Sequence, residues 1–322
     1  MKKCIKIAFI AFCLTGMLFS AANAEHYVNG VEGIKAASVP PPGFYYRMYN
    51  AFYTADKLMD TEGEEKKELS LPNGLTLKDL DFDVKVFANV HRFIWISDYK
   101  ILGADYGAHV IVPLINTDIE MSGSSGGNRI SAVDDDKFAL GDIFVEPFLL
   151  SWHGANYDAA FGLGAYMPTG DYDKTEAASP GKDMWTGMMS FGGTFYFDEE
   201  KTWSASILGR YEVHSEQTIL DMSGKKELDI TPGNDFHFEW GVAKTIAGVW
   251  DVGMAGYCQW QVTEDSGTGA SENKDSVYAA GPEAVVFIPP VKLFVSLRSL
   301  WEFEAEDRPE GNITTLTFTK IF

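Results

Sequence analysis

The chain has 322 residues, with 26 basic and 46 acidic side chains and a formal net charge of −20. This excess of acidic over basic side chains excludes the basic surface that nucleic-acid binding requires. We therefore predict no nucleic-acid partner. Of the three cysteines, only Cys258 lies outside the first 24 residues, which excludes an internal disulfide in a chain that begins at Glu25.

The first 24 residues have the pattern of a secretory signal peptide. Lysines precede an apolar run from Ile7 to Phe19, and the small residues Ala22 and Ala24 stand just before Glu25. The apolar run is too short to span a bilayer as a helix, and no later window is apolar enough to do so. We therefore predict that residues 1–24 are removed on export, which raises the net charge to −23 because three lysines and no acidic residue are lost.

Residues 25–43 form a proline-rich segment of their own. Three successive prolines, Pro40, Pro41 and Pro42, remove backbone donors and exclude an ordinary central strand. Two interpretations stay open: a plug inside the lumen of a barrel, with these prolines as plug candidates, or a loose periplasmic tail.

From residue 44 onward, segments of alternating polar and apolar residues predict about 12 β-strands. The predicted strands are 44–56, 81–97, 104–121, 138–152, 156–167, 185–198, 201–216, 235–246, 249–262, 275–288, 291–304 and 311–322. Their connections alternate between long and short, as expected when one end of a barrel carries external loops and the other tight periplasmic turns. The sequence thus predicts an all-β fold: a transmembrane antiparallel up-and-down β-barrel over residues 44–322, in the bacterial outer membrane and in contact with its lipids.

Each predicted strand has an apolar face for lipid and a second face for the lumen. In 249–262, for example, Trp250, Val252 and Met254 alternate with polar or small residues. Charges on the inner face are either a ladder along the pore or pairs that brace the barrel. The pore-lining candidates are Lys85, His91, Asp142, Glu146, Arg210, Glu212, His237, Glu239, Asp251, Glu283, Lys292, Arg298 and Glu302. Inward aromatics such as Phe144 and Phe148 could line a route for apolar solutes.

Acidic clusters such as Asp134–Asp136 fall in predicted external loops. They are either a solvated exterior or, since carboxylates suit the ion, sites that bridge to lipid head groups through Ca²⁺. The sequence has no 12-residue calcium loop and no zinc-binding spacing of histidines or cysteines, so we predict no metal and no cofactor.

The last strand places Thr314, Leu316, Phe318, Lys320 and the terminal Phe322 on one face. An apolar alternation that ends in an aromatic resembles the signal read by the outer-membrane assembly machinery, which we therefore expect as a partner. Lys320 departs from that signal, although a lysine near the interface can extend its amine to water.

Several blocks resemble the "MetA-pathway of phenol degradation" family of outer-membrane proteins. They include the Pro-Pro-Pro-Gly block ending at Gly43, the Gly-Ala-Asp-Tyr-Gly block 103–107 with Val-Pro-Leu at 112–114, and Met-Pro-Thr-Gly-Asp-Tyr at 167–172. The resemblance implies a transport channel, in a family some of whose members are encoded among aromatic-degradation pathways. A shared fold does not identify the solute.

The leading hypothesis is an outer-membrane channel for passive uptake of a small hydrophobic or aromatic solute. One alternative is a structural or adhesive barrel without transport. A hydrolase is the other, but no Gly-x-Ser-x-Gly elbow accompanies the six histidines, so we predict no catalytic residues.

Overall fold

A computed structural model describes residues 25–71, 74–221 and 224–322. The predicted signal peptide, residues 1–24, lies outside the described residues. The strands are β1 (Gly43–Leu58), β2 (Glu68–Ser70), β3 (Thr76–Ile101), β4 (Ala104–Ser125), β5 (Asn128–Leu140), β6 (Ile143–His153), β7 (Tyr157–Met167), β8 (Thr186–Tyr196), β9 (Trp203–His214), β10 (Gln217–Leu220), β11 (Glu227–Thr231), β12 (Asp235–Ile246), β13 (Trp250–Gln261), β14 (Ser266–Gly267), β15 (Ser276–Ile288), β16 (Leu293–Glu306) and β17 (Pro309–Ile321), with a 3₁₀ turn at Pro289–Val291. Within these ranges, no helix has the length and hydropathy needed to cross a bilayer.

Twelve of these strands form one closed antiparallel barrel, in the order β1, β3, β4, β6, β7, β8, β9, β12, β13, β15, β16 and β17. The last strand returns to the first, with Tyr45 of β1 opposite Ile321 of β17. Closure leaves no open sheet edge around the barrel, as a membrane-spanning sheet requires. The predicted 12-strand barrel is confirmed.

The strand predicted at 138–152 is wrong in its first part. Phe138 to Leu140 belongs to β5, which pairs with residues 114–125 in the C-terminal half of β4. Strand β6 begins only at Ile143. A tight turn joins β4 to β5 through Gly126 and Gly127, whose φ angles of 56° and 81° suit glycine. The predicted external loop 122–137 is therefore an extended β-hairpin.

The external end also carries a small sheet outside the barrel wall. Strands β10, β11 and β14 pair there, over a cluster formed by Ile219, Leu228 and Ile230. The long connections thus lie at one end of the barrel and are themselves folded.

The two faces of the barrel wall differ as the alternation predicts. On β16, Leu297 and Trp301 are 56% and 54% exposed, whereas the interleaved Arg298 and Leu300 are 2% and 1% exposed. Large apolar side chains such as Ile207 and Val252 continue the exposed face on other strands. This apolar exterior is suited to lipid and the interior holds the polar groups.

Residues 25–42 contact side chains from several sides of the barrel interior. The backbone N–H of Ile34 donates to Glu283 Oε2 at 2.7 Å, and Arg298 Nε donates to the carbonyl oxygen of Gly30 at 2.8 Å. Nearer the periplasmic end, the Tyr45 hydroxyl donates to the carbonyl oxygen of Pro41 at 2.7 Å. We call residues 25–42 the N-terminal segment; whether it acts as a plug stays a prediction.

Candidate functional site

A cavity of about 420 Å³ lies between the N-terminal segment and one side of the barrel wall. Its wall is made mainly of apolar inward side chains from β1, β3 and β4, and the connection between β7 and β8 contributes to its outer end. The wall residues are Ala51, Phe82, Val84, Val86, Ala88, Val90, Ile111, Pro113, Ile115 and Ile119. Its volume falls in the range of small-molecule sites, which are mostly apolar with a few placed polar groups.

The inward face of β3 explains why this cavity is apolar. Val84, Val86, Ala88 and Val90 alternate along the strand and all line the cavity. The sequence contains this signal as four apolar residues at period two. The polar residues between them led to the prediction that the polar face was lumenal and the apolar face was in lipid.

Lys85 and His91 were predicted to line the pore, and the structure places them on the outer face instead. They are one residue out of phase with the lumenal Val84 to Val90 set. Their polar atoms are satisfied locally, because Lys85 pairs with Asp83 at 2.5 Å and His91 Nδ1 lies 2.6 Å from the Tyr46 hydroxyl. Local pairing is what permits these polar groups on an outward face.

Polar side chains also line the cavity, and three of them, Tyr53, Tyr257 and Glu302, are hydrogen-bonded to one another. The hydroxyls of Tyr53 and Tyr257 donate to the two oxygens of Glu302 at 2.9 and 2.6 Å. Glu302 also accepts from the backbone N–H of Gly311 at 2.7 Å. These bonds satisfy the Glu302 carboxylate, so an apolar solute in the cavity would not contact an unpaired charge there.

Deeper in the lumen, one carboxylate of the N-terminal segment is bound by three wall side chains. Glu32 accepts from Arg92 at 2.5 Å, from Arg47 at 2.7 Å and from the Tyr49 hydroxyl at 3.1 Å. Burial acts to raise the pKa of Glu32, but the two guanidinium groups outweigh it and hold that pKa well below its usual range. We call Arg47, Arg92 and Tyr49 the arginine clamp.

The start of the N-terminal segment is held by a second polar network. Glu212 accepts from the backbone N–H groups of His26 and Tyr27 at 2.9 and 3.1 Å. The Tyr27 ring lies 3.7 Å from the Arg210 guanidinium carbon, and its hydroxyl donates to Glu239 at 3.1 Å. Cation–π contact and charged hydrogen bonds thus fix an aromatic side chain in the middle of the barrel.

His26 is paired with the connection between β5 and β6. Its Nε2 lies 2.9 Å from Asp142 Oδ2, and Asp142 also accepts from the backbone N–H groups of Thr169, Gly170 and Lys182. Burial lowers the pKa of His26, while these bonds to Asp142 outweigh its burial and lower the pKa of that carboxyl.

The structure brings most of the predicted pore residues together around the N-terminal segment. Asp251 pairs with Lys35 at 2.8 Å, Glu283 with Arg298 at 2.9 Å, and Glu146 with His109 at 2.7 Å. The ten that lie on the lumenal side are Asp142, Glu146, Arg210, Glu212, His237, Glu239, Asp251, Glu283, Arg298 and Glu302. Their role in lining an open pore stays a prediction.

Lys292 was also predicted to face the lumen, and this is wrong. It follows the 3₁₀ turn Pro289–Val291 with φ of 48°, in the exposed connection before β16. The two prolines begin a 3₁₀ turn that extends to Val291, so β16 starts at Leu293 and Lys292 lies in the turn before it.

Sequence reasoning missed the arginine clamp. Arg47 and Arg92 lie directly opposite each other on β1 and β3, a register that brings two like charges side by side. Two like charges side by side are unfavourable unless an anion lies between them, so this pair was a possible signal of the clamp. It was hidden because the pairing of β1 with β3 depends on a long connection whose register the sequence does not fix.

Three side chains with metal-ligating atoms converge near the outer end of the lumen. The nearest atoms of Glu212, His214 and Asp235 lie within 4.8 Å of one another. Their atoms already have partners: His214 lies 2.8 Å from Thr186 Oγ1 and 3.0 Å from Asp235, and Glu212 holds the N-terminal segment. A cation would have to displace these bonds, so we assign no metal to the cluster.

Solved structures with the same architecture include an outer-membrane channel. The COG4313 outer membrane channel from Pseudomonas putida F1 is 14% identical, with a TM-score of 0.72, over 92% of this chain and 100% of that one. A Pseudomonas aeruginosa FadL homologue (10% identity, 87% and 90% coverage, TM-score 0.44) and the CymD monoaromatic hydrocarbon channel (8% identity, 88% and 89% coverage, TM-score 0.39) are less similar, and likeness this slight carries no argument. No curated protein matches the sequence.

The family is established by the sequence itself. Residues 55–318 match the family described as "Putative MetA-pathway of phenol degradation". This range covers the barrel strands except most of β1, of which it includes only the last four residues, and the end of β17. The chain therefore belongs to the MetA-pathway of phenol degradation family and is an outer-membrane β-barrel.

Proposed function

We propose that this protein is an outer-membrane channel for passive uptake of small hydrophobic or aromatic molecules. The observation that carries the proposal is the cavity of about 420 Å³, whose wall is apolar although most of the remaining lumen is charged. A polar diffusion pore has no need of an apolar pocket at its external end, whereas a solute of low solubility gains free energy by leaving water there. The family description, which concerns phenol degradation, supports an aromatic solute.

In this proposal residues 25–43 are the plug of the channel, residues 44–322 are the barrel, and residues 1–24 are a signal peptide. The Glu32, Tyr27 and Ile34 contacts support the plug, because they join the N-terminal segment to opposite sides of the barrel wall. Passage beyond the cavity therefore requires the segment to move. Pro40 to Pro42, which end it, form the stiff connection to β1.

The proposal assigns the C-terminal strand to recognition by the assembly machinery. Leu316 and Phe318 lie on the outer face of β17, and Lys320 Nζ bonds the carbonyl oxygen of Val291 at 2.6 Å. This bond keeps the lysine at the periplasmic rim, so it does not break the apolar face within the membrane. The proposed activity is transport and not catalysis.

Planar bilayer recording tests the channel and the plug together. We expect the chain that begins at Glu25 to give rare, small openings, and a chain lacking residues 25–42 to give larger, sustained conductance. Folding of both is checked by their shifted migration on gels before and after heating.

A folded truncated barrel without conductance would contradict the plug, since the lumen would then be blocked by something else. Equal conductance of the two folded forms would likewise favour a loose tail. If neither form conducts or binds an apolar solute, the structural or adhesive alternative takes the place of the channel.

A further inference from the structure

The arginine clamp has no other carboxylate partner among the residues that the structure describes. Arg47 and Arg92 form ion pairs with Glu32 alone, whereas the neighbouring lumenal arginines have partners in the wall. Arg210 pairs with Glu239 at 3.3 Å, and Arg298 pairs with Glu283. When Glu32 leaves, two positive charges remain side by side on adjacent strands.

The guanidinium groups of the clamp are positioned without Glu32. Arg47 Nε donates to Thr319 Oγ1 at 3.0 Å, and Arg92 lies 2.8 Å from His109 Nε2. The Tyr49 hydroxyl stands between them, 3.5 Å from Arg47 and 3.3 Å from Arg92. The wall therefore holds three donors directed at one point, which is an arrangement that binds a carboxylate strongly.

An apolar surface lies next to these donors. A small cavity of about 70 Å³ touches Arg47, Arg92 and Glu32, and its remaining lining includes Ile94, Ile111, Phe144, Leu149, Met188 and Leu208. A ligand with a carboxylate at one end and an apolar body at the other would satisfy both surfaces.

We propose that the arginine clamp is a binding site for a small carboxylic acid with an apolar body, and that Glu32 occupies it in the closed channel. The ligand class rests on the proposed function, since it names the kind of solute that would displace the N-terminal segment. Glu32 acts as an internal competitor: a carboxylate that enters the clamp makes the same bonds and removes one of the contacts that hold the segment closed.

The test uses the full chain with Glu32→Ala, which vacates the clamp and leaves the rest of the N-terminal segment in place. Acetate and benzoate are the probes, and neutral benzamide is the matched control for benzoate. We expect both carboxylates to bind E32A by calorimetry and to raise its thermal unfolding temperature, because a ligand that binds only the folded state stabilises it. Benzamide leaves that temperature unchanged.

Two further variants locate the site. Adding Arg92→Gln to E32A is expected to weaken acetate binding about tenfold or more, since a charged hydrogen bond is lost. Adding Arg129→Gln instead, in the external hairpin where Arg129 pairs with Asp81, is expected to leave binding unchanged. If E32A fails to fold, Glu32→Gln serves in its place, because its neutral amide keeps the packing but can be displaced by a carboxylate.

The proposal is overturned if carboxylates do not bind the folded variant, if benzamide binds as well as benzoate, or if Arg92→Gln leaves acetate affinity unchanged. Binding is measured in detergent and needs no conductance. A failure here therefore leaves the channel proposal standing, and a barrel that binds benzoate but does not conduct would contradict only the channel.

Discussion

At the scale of single residues, Gly33 lies directly against an ion pair of the barrel wall. A Cβ built at this position would lie 1.8 Å from Arg298 Nη1 and 2.0 Å from Glu283 Oε2, and φ is +70°. Both atoms belong to a buried ion pair, so they cannot move aside without breaking it.

We predict that Gly33→Ala displaces the segment and increases conductance in planar bilayers. The left-handed backbone costs about 1–2 kcal/mol for alanine, and the steric overlap adds to that cost. Gly103→Ala is the matched control, since φ there is +82° but no atom lies within 4 Å of the added Cβ. A conductance as low in Gly33→Ala as in the control would show that the segment is not packed against this ion pair.

Ten of the thirteen residues that alternation predicted to be lumenal lie on the lumenal side, but none of their partners was predicted. Glu239 and Glu283 were recognised as inward charges, whereas their contacts with Tyr27 and Ile34 join residues more than 200 positions apart. Such contacts depend on where the N-terminal segment lies, and a segment without periodicity carries no signal for that. The left-handed Gly33 is understood only after its neighbours are known.

At the scale of strands, period-two alternation predicted the barrel well and failed where a strand is irregular. The register of β6 shifts between Val145 and Phe148, around Pro147, which has no N–H for the ladder. This shift turns Phe148, predicted to face inward, to the outer side, where its ring packs against Tyr106 and Phe161. One extra residue in a strand exchanges its two faces, and alternation alone cannot locate it.

The apolar face of β3 yields a prediction about the solute cavity. Val86→Trp places an indole in the cavity, and we expect it to reduce severalfold the uptake of toluene by cells with an intact lipopolysaccharide layer. The reason is steric, because the added ring occupies space that the solute needs. Val252→Trp makes the same exchange on the outer face, where Val252 is 44% exposed, and is expected to leave uptake unchanged. Equal uptake by both folded variants would mean that the solute does not pass through the cavity.

At the scale of the whole molecule, the N-terminal segment and the barrel are joined by charges that respond to pH in opposite ways. The pKa of His26 is lowered by burial, so the docked segment carries a neutral imidazole while a displaced segment takes up a proton below about pH 6.5. Burial raises the pKa of Asp275 to about 6, and the charge of Glu25 adds to this effect. Protonation of Asp275 therefore favours the docked segment, whereas protonation of His26 favours its release.

We predict that acidification from pH 7.5 to 5.5 increases conductance, since His26 lies inside the contact that must break and Asp275 lies in an external connection. The docked state loses up to about 1.4 kcal/mol per pH unit from His26 below pH 6.5, until the lowered pKa of the docked form is reached. Asp142 stays ionised throughout, because its pKa lies below an ordinary value of 3.8. His26→Asn removes the titrating group, so bilayer recordings of this variant should show no increase on acidification, or the decrease that Asp275 alone would cause. An unchanged response in His26→Asn would assign the pH dependence to the lumenal strand histidines, and the docking of His26 on Asp142 would then not control the channel.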